Sequence, residues 1–257
     1  MTLAVPHYAL AVLCGVSGAA GFIDAIAGGG GLLTVPALMS FVPSPHLALG
    51  TNKGQSVFGA IASAVSFWRA GGLDRHRAPL AFACGAAGAV LGALLQLRVS
   101  NAPLKPIVLG LLLFAAALVA FRPLLLRGRK PHETKAPRAR LASIALIAGV
   151  YDGFFGPGVG SLLIVAFVAF AGDSMTRASG NAKVVNLASN LTSFCVFAVK
   201  GTILWSVALP MAACNALGAW VGAHTAMKRG DAFVRVVVLM VVLSLAGKLG
   251  WDLLRRV

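Results

Sequence analysis

Apolar residues fall in runs along this chain, at 8–27, 31–42, 54–68, 78–97 and 104–121, then at 141–156, 159–171, 184–199, 204–226 and 233–250. None alternates with the period of two that a barrel strand needs. A backbone in lipid must satisfy its own hydrogen bonds, so each run predicts a helix. Most runs approach a span of roughly 20 residues. The second run of each half does not: residues 32–42 rise about 16 Å as a helix, against a hydrocarbon core of about 30 Å. The first two runs are divided by Gly28-Gly29-Gly30-Gly31, and their second-half counterparts by Gly156-Pro157-Gly158. Glycine takes backbone conformations closed to other residues and proline lacks an amide donor, so both interrupt a helix. Segments 8–42 and 141–171 are therefore expected to be bent or re-entrant pairs.

The two breaks recur because the chain repeats itself. GFIDAIAGGGG at 21–31 corresponds to GVYDGFFGPGVG at 149–160, with Asp24 on Asp152 and Gly28 on Gly156, a step of 128 residues. Farther on the step is 130 and pairs Lys53 with Lys183, Ser63 with Ser193, Phe67 with Phe197, Gly88 with Gly218 and Gly92 with Gly222. Duplicated halves with interrupted apolar segments are the sequence form of a secondary transporter. The expected fold is an all-α integral membrane protein of two homologous repeats, about five hydrophobic segments each. They occupy residues 1–121 and 141–257, on either side of a basic linker at 122–140.

Composition agrees with a membrane setting: 58% of residues are hydrophobic and 11% charged, with mean hydropathy +0.87. The net charge of +15 would fit a nucleic-acid binder, but its distribution does not. Arg122, Arg127, Arg129, Lys130, Lys135, Arg138 and Arg140 cluster in the linker, and most other basic residues sit between apolar runs. That is the pattern of cytoplasmic loops. With the linker inside, loops 69–79, 172–183 and 227–235 also fall inside, and 98–105 and 200–206 outside. Equivalent loops then lie on opposite sides, which favours an inverted repeat. The four cysteines lie within apolar runs and form no CxxC, so no metal site or disulfide framework is expected, and no cofactor.

Ionisable groups inside a membrane are expensive and point to function. Asp24 and Asp152 precede the breaking glycines, and Lys53 and Lys183 open the third run of each half. Asn52 and Gln55 flank the first lysine. Asn186, Ser189, Asn190 and Ser193 follow the second at helical spacing, one polar stripe. A broken helix also leaves backbone N–H groups unpaired at the start of its next segment, and these favour an anion. Gly29, Gly30 and Gly31, with Gly158 and Gly160, are thus expected to join Asn52, Lys53, Gln55, Lys183, Asn186 and Asn190 in two half-sites for a small oxyanion. The aspartates are read as proton-coupling or structural groups, the latter as counter-ions to the lysines or acceptors for the breaking loop.

These residues resemble the TauE/SafE sulfite exporter family. The matching pieces are GFIDAIAGGGGLLTVPAL and ALGTNKGQSVFGAIASAVSF in the first half, GVYDGFFGPGVGSLLIVAF and NAKVVNLASNLTSFCVFAVKGTILW in the second. The resemblance implies a multi-pass carrier of the bacterial inner membrane, exporting a small sulfur-containing anion such as sulfite or sulfoacetate. An anion channel, or an importer of a related anion, is the alternative. The motifs offer no catalytic constellation. The implied partners are the anion and the lipid bilayer, with no nucleic acid; a homodimer is left open.

Overall fold

The computed structural model describes residues 6–125, 137–226 and 228. The centre of the predicted linker and the run predicted at 233–250 lie outside the described residues. Those described form helices throughout: α1 (His7–Ala27), α2 (Gly31–Phe41), α3 (Pro45–Arg69), α4 (Ala78–Arg98), α5 (Asn101–Leu125), α6 (Arg138–Phe154), α7 (Val159–Ala171), α8 (Met175–Val199) and α9 (Trp205–Ala226). Five of them are long and apolar enough to cross a membrane. The chain is an all-α, multi-pass membrane protein.

Local chemistry sets several boundaries. Pro45 opens α3 at its first position, where no amide donor is needed. Ser174 caps α8 by accepting the Arg177 N–H at 3.3 Å. Gly28 ends α1 in the left-handed region, φ 74°, with its N–H returned to Asp24 O at 2.9 Å. Two starts differ from the hydropathy pattern. α3 begins at Pro45 rather than near 54, and α8 at Met175 rather than near 184. The added segments, 45–53 and 175–183, end in polar residues that are helical yet buried in the protein, Thr51, Asn52 and Lys53 in one and Ser179, Asn181 and Lys183 in the other.

The short helices fold back. Gly30 lies against Ala20 and Asp24 of α1, and Leu13 and Leu38 share one apolar cluster. At the open end the Tyr8 and Phe41 rings meet edge to face, centroids 6.4 Å apart. Helices α6 and α7 form the matching hairpin, with the Arg140 guanidinium donating to Phe170 O at 2.9 Å and Tyr151 OH to Pro157 O at 2.8 Å. The two hairpins meet at their tips. Ser161 donates its N–H to Gly28 O at 2.9 Å and its hydroxyl to Ala27 O at 2.6 Å. Gly28 and Gly160 allow the approach, since a Cβ on either would enter the other's backbone.

The halves interlace instead of standing side by side. α9 packs parallel to α1, and α4 parallel to α6, at equivalent contacts. A Cβ on Gly88 would strike Leu146 O and lie 2.9 Å from Val150 N; one on Gly218 would strike Gly18 O and lie 3.1 Å from Phe22 N. These are the close backbone contacts that small residues give membrane helices. The equivalent helices α3 and α8 run antiparallel, with Gly50 against Thr202 and Gly180 against Gly72.

Loops sort to two ends. At one, Arg77 Nη1 binds both oxygens of Asp173, at 2.8 and 3.1 Å, joining the α3–α4 and α7–α8 turns. At the other, His46 Nε2 meets Val99 O at 2.9 Å and Thr51 Oγ1 accepts the Leu204 N–H at 3.0 Å. The first end carries Arg69, Arg75, Arg77, Arg138, Arg140, Arg177 and Lys228; the second carries Arg98, Lys105 and Lys200. An excess of this kind is what the positive-inside rule expects of a cytoplasmic face.

Two predictions follow from this packing. Gly88→Leu and Gly218→Leu should each destabilise the protein by about 2 kcal/mol or more through overpacking against backbone. Gly110→Leu, at a site with nothing within 4 Å of the new Cβ, should not, as read by thermal unfolding in detergent. In a background without the native cysteines, Arg75→Cys should react with a membrane-impermeant thiol reagent only from the cytoplasmic side, and Lys200→Cys only from outside.

Candidate functional site

Helices α3 and α8 cross beneath the hairpin tips, and their polar segments at 52–56 and 186–190 supply the site. Lys53 reaches out of the first half to Asp152 of α6, with Nζ 2.6 Å from Oδ1; the side chains are 3% and 2% exposed. Asp152 Oδ2 accepts the Ser189 hydroxyl and, at 3.4 Å, the Asn190 amide. Asn190 Oδ1 in turn accepts Ser56 Oγ at 2.8 Å and lies 3.4 Å from Lys53 Nζ. The pair is thus wrapped by the stripe from α8.

The equivalent pair is made the other way across the molecule. Lys183 of α8 donates to the backbone carbonyl of Asp24, and its Nζ lies 3.7 Å from Asp24 Oδ2. Asp24 Oδ1 accepts the Gly30 N–H at 3.2 Å. Each lysine therefore pairs with the aspartate of the opposite repeat.

Between the pairs lies a small polar cavity of about 40 Å³, bounded by Asp24, Gly30, Gly31, Thr34, Asn52, Lys53, Gln55, Ser56, Asp152, Gly156, Asn186, Asn190 and Asn215. A hydrogen-bonded chain backs it: Thr34 Oγ1 donates to Asn52 Oδ1 at 2.6 Å, Gln55 Nε2 to the same oxygen at 3.1 Å, and Ser17 Oγ to Gln55 Oε1 at 2.8 Å. The Asn215 amide donates to Ser17 O at 3.0 Å. α2 begins at Gly31 on the cavity wall with no side-chain cap, so the positive end of its dipole points there. The start of α7 also reaches the cavity, at Val159, but its Ser161 N–H is taken by Gly28 O.

Of the residues singled out in the sequence, Asp24, Gly30, Gly31, Asn52, Lys53, Gln55, Asp152, Asn186 and Asn190 line this cavity. Gly29, Gly158, Gly160 and Lys183 lie off its lining. Gly160 sits at the tip junction, and Gly158, φ 82°, presses on Ala115 of α5. Lys183 stands behind Asp24. Sequence reasoning missed Ser17, Thr34 and Asn215. Asn215 was visible as a lone amide inside the apolar run 204–226, which the rule for polar groups in membranes would have flagged.

Because Lys53 and Asp152 are in direct contact and almost fully buried, Lys53→Met should destabilise the protein by about 3–5 kcal/mol by leaving a buried charge unpaired. The double variant Lys53→Met, Asp152→Asn should recover most of that loss. Lys183→Met should cost less, since its carboxylate partner is 30% exposed. Thermal unfolding of the purified variants reads all three.

Comparison with known proteins places these features in a family. The model of the sulfite exporter TauE/SafE family matches residues 13–249. A probable membrane transporter protein, ORF9, of Sinorhizobium is 38% identical over 231 residues, covering 90% of this chain and 88% of its own. A probable membrane transporter protein of Haemophilus influenzae is 36% identical over 247 residues, 95% of each chain. The probable membrane transporter protein YfcA of Escherichia coli is also 36% identical, covering 95% of this chain and 90% of its own. No solved structure matches. The chain belongs to the TauE/SafE sulfite exporter family of membrane transporters.

Proposed function

We propose that this transporter is a secondary carrier of the bacterial inner membrane that exports a small sulfur-containing oxyanion by alternating access. Sulfite and organosulfonates such as sulfoacetate are the substrates in view. The observation that carries the reading is the cavity between the repeats. It combines a buried lysine, four asparagines, a glutamine and the start of α2, all groups that donate to oxygen atoms. Its volume of about 40 Å³ is room for roughly three waters or one ion of a few heavy atoms. Amide and hydroxyl donors can replace the hydration shell that such an ion gives up.

The interlaced packing supports a carrier. Each Lys–Asp pair links a hairpin of one repeat to a long helix of the other. Movement of one repeat against its partner therefore changes both pairs together. The glycine contacts of α1 with α9 and of α4 with α6 present smooth backbone surfaces along which such movement can occur. Equivalent helices running antiparallel through a shared centre support the inverted-repeat arrangement, in which rocking about a fixed site exposes it to either face. The hairpin tips touch across the middle, which favours a carrier over a continuous anion pore.

Purified protein in liposomes should show saturable counterflow of sulfite, sulfoacetate or methanesulfonate, with Asn52→Ala and Asn190→Ala each raising the half-saturating concentration at least about tenfold, the equivalent of 1.4 kcal/mol. Absence of saturable flux for all three anions would overturn the substrate assignment. Currents far above carrier turnover would overturn alternating access.

A further inference from the structure

The two equivalent aspartates are held very differently. Asp152 has Lys53 on Oδ1 at 2.6 Å, and the Ser189 hydroxyl and Asn190 amide on Oδ2. Its side chain is 2% exposed. Asp24 has one backbone donor, Gly30 N–H at 3.2 Å, and Lys183 stays 3.7 Å from its outer oxygen. The reason is written in the repeat. At the step of 130 residues, Ser189 and Asn190 of α8 correspond to Gly59 and Ala60 of α3, which carry no donor. Asp24 consequently turns an accessible carboxylate edge to the cavity.

The charges around the cavity supply the second half of the argument. Lys53, Lys183, Asp24 and Asp152 sum to zero when all are ionised. An oxyanion entering this neutral cluster is an uncompensated charge in a low-dielectric interior. One proton removes the problem. On Asp152 it would strip Lys53 of its counter-ion at the driest point of the site. On Asp24 it leaves Lys183 without a matching negative charge, and Lys183 then balances the incoming anion. The charged groups that face Asp24 are Lys183 from α8, Lys53 from α3 and Asp152 from α6. Among the cavity-lining residues, α2, α7 and α9 present Gly31, Thr34, Val159 and Asn215, none of which titrates.

Resting on the oxyanion reading of the cavity, we infer that Asp24 is a proton-binding site: it takes one proton for each monovalent anion that occupies the cavity, and the two cross together. Asp152 stays ionised as the partner of Lys53. The balance is simple. The anion brings one negative charge, the Asp24 carboxylate takes one proton from the same side, and both are released on the other, so no net charge moves and export runs only where the outward anion gradient exceeds the inward proton gradient.

Methanesulfonate is the probe, because it is monovalent and ionised at every working pH, so that a moving proton is not its own. In proteoliposomes, a gradient of one pH unit should drive about a tenfold accumulation on the alkaline side. A potassium–valinomycin potential should leave that ratio unchanged. In Asp24→Asn, at whatever counterflow rate the variant retains, accumulation should no longer follow the pH gradient. Accumulation that follows the potential and ignores the pH gradient would overturn the assignment, and that reading needs no variant. Retention of gradient-driven accumulation by Asp24→Asn would overturn it too. Counterflow at equal pH is measured first in the same vesicles. Its absence in the unmodified protein overturns the carrier reading and this assignment with it; its presence without a gradient response overturns this assignment alone.

Discussion

A buried ion pair made between the two halves of the chain is the constraint on which the rest of the structure depends. Neither Lys53 nor Asp152 could remain charged alone at 3% and 2% exposure, because a lone charge in the bilayer interior is costly by several kcal/mol. Their 2.6 Å contact, with Ser189 and Asn190 saturating the second carboxylate oxygen, offsets that penalty. Lys53 lies on α3, Asp152 on α6 and the remaining donors on α8. Those three helices are thereby fixed in depth and in register. Lys183 and Asp24 repeat the demand with α8 and α1.

Such reach across the molecule is feasible only where backbones come close. The glycines of α4 and α9 let those helices lie against α6 and α1 with no side chain between. The Gly28–Gly160 junction does the same for the hairpin tips. Charge pairing and glycine packing are complementary constraints. One sets which helices must meet, and the other allows them to meet at hydrogen-bond distance. The interlacing of α1 with α9 and α4 with α6 then leaves neither repeat with a complete core of its own.

Much of this was legible in the chain because it is carried by local pattern. The nine apolar runs that fall on described residues, the two glycine breaks and the shortness of 31–42 and 159–171 all survive into helices α1–α9. The depth of Lys53 was not. Hydropathy placed it at the edge of a run, whereas it lies more than two turns inside α3. A hydropathy window scores side chains against lipid and has no term for a polar turn facing a cavity. Nor could spacing say which lysine meets which aspartate. The Lys53–Asp152 contact joins positions 99 residues apart, and its specificity comes from helix crossing, which no short window contains. Asn215 was visible as a lone amide in an apolar run, but its partner Ser17, 198 residues away, was not.

Duplication alone would give two equal half-sites, and the departures from equality are where function enters. Both helix starts reach the cavity, at Gly31 and Val159, but in α7 the Ser161 N–H is tied to Gly28 O. Thr34 and Asn52 correspond to Leu162 and Ala182, and Gln55 to Val185, so one amide cluster has no counterpart. Gly59 and Ala60 stand where Ser189 and Asn190 would hold Asp24. An exchange of roles between the repeats, with Lys183–Asp24 tightening as Lys53–Asp152 opens, would therefore not regenerate an equivalent site. The tightened Asp24 would lack the hydroxyl and amide that stabilise Asp152, and the opened Asp152 would keep them. Two facing states of an alternating-access carrier built from these unequal halves would differ in energy even without substrate. The state described, with Asp152 closed and Asp24 open, is the one these donors favour.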